Sequence, residues 1–141
     1  MSKQDLEMLL GAGIEFAERM IQTHGEFHPF GVKLAPDGVA SLVGIHMGLE
    51  FPNGALLVED LQRTFQLLAA EGKIRAAAVC FVGSVLLKDR PAKQTAAVFR
   101  LAHQNGETAE VVLPFAINES TIPDFGDLVA VTPRTFSLAK T

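Results

Sequence analysis

Two tripeptides constrain this chain more than any other feature: Pro36-Asp37-Gly38 and Gln104-Asn105-Gly106, each set between two alternating apolar segments. Such a segment–turn–segment unit folds back as a β-hairpin. In the first, Pro36 presets the backbone of the first turn position, Asp37 suits the second, and Gly38 supplies the positive φ of a three-residue loop. That loop pairs Ala35 with Val39, Leu34 with Ala40, Lys33 with Ser41 and Val32 with Leu42. In the second hairpin, residues 95–102 with 108–115, charge decides the register. A two-residue Asn-Gly turn sets Arg100 opposite Val111 and Leu101 opposite Glu110. A three-residue loop with Gly106 left-handed sets Arg100 opposite Glu110. It also collects Ala97, Phe99, Leu101, Ala109, Val111, Leu113 and Phe115 on one face. The second register is expected, because a lone charge on an apolar face is the costlier arrangement.

Two segments carry helical periodicity instead. In residues 4–24, Leu6, Leu9, Leu10, Gly13, Ala17, Met20 and Ile21 form one stripe, with a mostly polar stripe opposite. Ser2 is a cap candidate, Asp5 suits the positive first turn, Glu15 and Arg19 form an i,i+4 pair, and Gly25 marks the stop. Gly13 lies on the apolar stripe, where close packing against a sheet accounts for it. The second helix is expected over residues 55–71, with Leu57, Val58, Leu61, Phe65 and Leu68 inward and Glu59 paired with Arg63. Residues 74–82 then read as a central strand, apolar on both faces after Arg75. A last short strand is expected at 128–131, stopped by Pro133, with the tail weakly structured or lying over the body.

These elements make an α+β domain with the order α-β-β-α-β-β-β(-β). A mainly antiparallel sheet of five to six strands carries two helices. The 141 residues suit one domain over 1–141. With 48% hydrophobic and 20% charged residues, the chain is composed to fold rather than to remain disordered. A net charge of −4 disfavours nucleic acid and anionic membrane as partners. The N-terminus lacks a signal-peptide layout, and no apolar run spans a bilayer, so a cytoplasmic location is expected.

Few residue clusters point to chemistry. Cys80 is the single cysteine, so neither an internal disulfide nor a zinc site built on cysteine pairs follows from it. Its apolar strand reads as burial, which raises a thiol pKa and opposes nucleophilic use. His24 and His28 have i,i+4 spacing, but Gly25 and Pro29 break any shared helix. His46 ends a strand near Glu50, and His103 stands at a strand end beside a turn. Phe27 and Phe30 flank His28-Pro29 just past the helix stop; they read as a clamp packing the helix end onto the sheet. Asp124 and Asp127 share a loop whose plainer role is turn formation. No catalytic residue, metal ligand or cofactor is assigned.

The run Phe27-His-Pro-Phe30-Gly31-Val-Lys-Leu34, then Asp37-Gly38, and Ile74-Arg75-Ala-Ala-Ala78-Val-Cys80, resembles a family of small uncharacterised bacterial proteins over about residues 26–115. It implies no catalytic residue. The element order also resembles profilin-like and roadblock-like modules, which implies dimerisation or partner binding.

The resulting expectation is a non-catalytic protein-interaction domain that self-associates as a homodimer and has room for a further protein partner. The alternative is a small-molecule-binding protein or small enzyme with a pocket near Phe27, His28, His46 and the 118–127 loop. One sheet face gathers Val32, Leu34, Leu42, Phe99, Leu101, Val111 and Leu113 and needs a helix over it. The other carries Val39, Val43, Ile45, Val98 and Val112 beside Lys33, Ser41, Arg100 and Glu110. Either the second helix or a second subunit covers those valines, and a subunit interface is the expectation.

Overall fold

The computed structural model describes residues 2–44, 54–86, 92–117, 123–131 and 136–138. Helix α1 (Ser2–His24) leads into strand β1 (Phe30–Leu34), which turns back as β2 (Ala40–Val43). Helix α2 (Gly54–Ala70) precedes the long strands β3 (Ala76–Val85), β4 (Gln94–His103) and β5 (Thr108–Ile117). Two short strands, β6 (Pro123–Phe125) and β7 (Val129–Val131), follow. The fold is α+β, with an antiparallel sheet that has seven strands among the described residues, in the order β2-β1-β3-β4-β5-β6 and with β7 also on β5. Strand β3 is central, between β1 and β4.

Both hairpins take the register that their turns dictate. Lys33 faces Ser41 and Val32 faces Leu42 in the first. Arg100 faces Glu110 and Phe99 faces Val111 in the second. The glycines that make this possible, Gly38 and Gly106, have φ of 91° and 97°.

Strand alternation then sorts the core into two layers. On one face Val32, Leu34, Ala76, Ala78, Cys80, Ala97, Phe99 and Leu101 pack with Leu9, Ala17 and Ile21 of α1. A Cβ on Gly13 would lie 3.1 Å from Cys80 Sγ and 3.3 Å from Phe99 Cδ1, so its missing side chain lets α1 approach the sheet closely. On the other face Ala77, Val79 and Ala102 pack with Leu61 and Phe65 of α2. There the ring of Phe65 occupies the space that a Cβ on Gly31 would need. The molecule is therefore helix, sheet, helix.

Several details differ from expectation. Residues 123–125 form a strand inside what reads as a loop. Arg63 pairs with Asp60 at 3.7 Å rather than with Glu59, an exposed i,i+3 contact worth little in either form. The described part of the tail, residues 136–138, takes one of its two expected courses and lies over the body: Phe136 and Leu138 are buried in the α2-side core, and Gln66 Nε2 donates to Ser137 O at 3.3 Å.

Candidate functional site

Strand β2 is the outer strand on one side of the sheet, and among the described residues it pairs with β1 alone. Val39, just before it, is 58% exposed, Leu42 is 43% exposed, and Ser41 is exposed. Residues Val39 to Gly44 include no charge. An edge strand exposes a row of backbone donors and acceptors, and proteins usually blunt it with charge, proline or a bulge. Residues 39–44 carry none of these three, and the four-residue length of β2 is the edge's one limit among the described residues. The opposite edge is different, because β5 is covered by the three-residue strands β6 and β7.

The expected interface valines divide along this geometry. Val39 is exposed at the edge and Val43 is half-buried against the α2-side core. Val98 and Val112 are buried within the chain, where they pack with Val129 and Val131 of β7. Ile45 lies outside the described residues.

A buried polar cluster joins α1 to the sheet. The Asp5 carboxylate accepts from Arg75 Nη2 at 2.8 Å and contacts His103 Nε2 at 2.9 Å. His103 Nδ1 accepts the Asn105 backbone N–H at 3.2 Å, so Nε2 carries the proton that points at Asp5. Arg75 Nη1 also donates to Pro36 O at 2.9 Å. Burial alone raises the carboxyl pKa of Asp5. The hydrogen bonds from His103 and Arg75, with the Arg75 charge, outweigh it and hold the group below the usual carboxylate range. Both ring nitrogens of His103 are engaged, so this arrangement leaves no nitrogen for proton transfer to a substrate. Its chemistry is that of a latch. Sequence reasoning assigned Asp5 to the helix dipole only. The signal it missed is that Asp5 stands four residues before Leu9, on the stripe that continues through Gly13, Ala17 and Ile21.

A second polar group lies on the α2 face. Arg100 Nε donates to Glu110 at 3.0 Å, Nη1 donates to Gln62 at 3.2 Å, and the guanidinium sits 4.7 Å from the Phe81 ring centre. These contacts fasten α2 to β4 and β5. Cys80 is fully buried, and burial pushes its thiol far up, away from the reactive thiolate. Among the described residues no group of three His, Cys, Asp or Glu is placed to hold a metal ion.

Only part of the expected pocket lies within the described residues. Phe27 is a core residue whose ring meets Phe30 edge-on at 5.3 Å, and Phe16 meets Phe30 at 4.7 Å, which is the clamp geometry. His28 is half-buried beside it. His46 and residues 118–122 lie outside the described residues. Nearby, an open groove of about 300 Å³ runs between the end of β2 and α2, lined by Pro29, Val43, Gly44, Leu57, Asp60, Leu61 and Thr64. Among the described residues its polar side chains are Asp60 and Thr64, and Asp60 already faces Arg63. No helix among the described residues is long and apolar enough to cross a membrane. No family model, curated protein or solved structure matches the chain.

Proposed function

We propose that this chain is a non-catalytic protein-interaction domain that self-associates as a homodimer through its β2 edge. The observation that carries this reading is the uncharged, exposed edge of residues 39–44, with Val39 and Leu42 open to solvent. The polar clusters support it from the other side, since the side chains of Asp5, His103 and Arg100 are committed to holding the fold together. A cytoplasmic setting belongs to the same proposal, and the single buried thiol of Cys80 fits it.

Light scattering coupled to size exclusion at micromolar concentration tests the proposal. The chain should run at about twice its 15.1 kDa mass. The double variant Val39→Lys with Leu42→Lys adds two charges to the exposed edge of each copy and should run at 15.1 kDa while retaining its fold. A mass of 15.1 kDa for the unaltered chain would refute self-association.

A further inference from the structure

We infer that two copies join by antiparallel pairing of β2 with β2 about a two-fold axis at Ser41, an inference that rests on the self-association reading above. The Ala35 N–H donates to Val39 O at 2.9 Å, which makes Ala35 and Val39 a hydrogen-bonded pair. Pairs in an antiparallel ladder alternate between bonded and non-bonded. Lys33–Ser41 and Gly31–Val43 are therefore bonded pairs, while Leu34–Ala40 and Val32–Leu42 are not. The backbone groups of Ser41 and Val43 thus point at β1, and those of Ala40 and Leu42 point outward.

An outer strand must match those outward groups. With Ser41 on the axis, Ala40 faces Leu42 of the second copy and Leu42 faces its Ala40, so every outward N–H and C=O of both residues is paired. Shifting the axis to Ala40 pairs that residue with its own copy, but sets Leu42 against Gly38, whose φ of 91° belongs to the turn. Shifting it to Leu42 sets Ala40 against Gly44, whose φ is 74°. Neither glycine has strand backbone, so the register on Ser41 makes the most bonds.

Side chains agree with this register. On the α1 face the half-exposed Leu42 meets a small Ala40, which leaves it room. On the α2 face Val39 meets Val43 on either side of a Ser41–Ser41 contact. No like charges meet at the seam. The nearest, Lys33 of each copy, lie one strand in from the contact, roughly 14 Å apart at three strand spacings and beyond the screening length at physiological salt. The pairing fuses the two sheets into one continuous sheet, with both α1 helices on one side of it.

Position-resolved cross-linking tests the register. Ser41→Cys places two thiols at a non-hydrogen-bonded pair, with Cα atoms about 4.5 Å apart and within disulfide reach. It should form a disulfide-linked dimer under mild oxidation. Val39→Cys and Val43→Cys should each stay unlinked alone and should cross-link when the two proteins are mixed. The native Cys80 is fully buried and does not compete. A dimer by light scattering in which Ser41→Cys fails to link, or Val43→Cys links to itself, overturns this register and leaves self-association standing. A monomer mass for the unaltered chain overturns both.

Discussion

Asp5 sets how the molecule responds to acid. Its carboxylate is stabilised in the folded state by His103 and Arg75, so its folded pKa lies below the unfolded value of about 3.9. A lowered carboxylate pKa contributes stability above the unfolded value, and that contribution is lost as pH falls through the folded value. Asp5→Asn should therefore be less stable than the unaltered chain at neutral pH, and the gap should close in acid below about pH 4. Asp5→Ala should cost about 3 kcal/mol at neutral pH, the lower end for a broken buried pair, because the Arg75 side chain is 29% exposed. Urea unfolding of the three proteins from pH 7 down to pH 2.5 measures this. A gap that stays constant across the range would show that the Asp5 charge is not what stabilises the latch. The cluster escapes a reading of the sequence because its members are far apart in it: Asp5 and Arg75 by 70 residues, Asp5 and His103 by 98. The β3–β4 pairing, which sets Ala76 opposite His103, and the seating of α1 bring them together.

At the scale of elements, what was legible is what is local. Each hairpin is specified within about twenty residues by its turn chemistry and its alternation, and the Arg100–Glu110 pair discriminates between registers one residue apart. Both helices show their inner stripes for the same reason. Strand β6 was not legible, because Pro123-Asp124-Phe125 is too short to alternate and begins with a residue that signals a loop. The outward direction of Leu42 also gives an element-scale prediction. Proline at position 42 removes a donor from the free edge, whereas proline at position 41 removes one from the ladder to β1. Leu42→Pro should abolish the dimer with a modest loss of stability, and Ser41→Pro should lower the melting temperature further. Thermal melts with light scattering compare them. Equal destabilisation by both, with the dimer retained in Leu42→Pro, would contradict the assigned direction.

For the whole molecule, the layer arrangement decides which apolar residues are left for partners. The sequence places valines on both faces of the sheet but does not reveal how far α2 reaches over the second face. In the folded chain α2 covers β1 and β3, and Val98 and Val112 are enclosed near β7, so of the four expected valines Val39, at the β2 edge, is the one left exposed. The clamp of Phe27 and Phe30 was legible, because both aromatics stand directly after the helix stop and pack into the core. Amide hydrogen exchange at β2 reads the outward pairing itself. At a few hundred micromolar, the amides of Ala40 and Leu42 should be protected alongside those of Ser41 and Val43, and the protection of Ala40 and Leu42 should fall on dilution. Fast exchange at Ala40 and Leu42 at every concentration, with Ser41 and Val43 protected by β1, would contradict it.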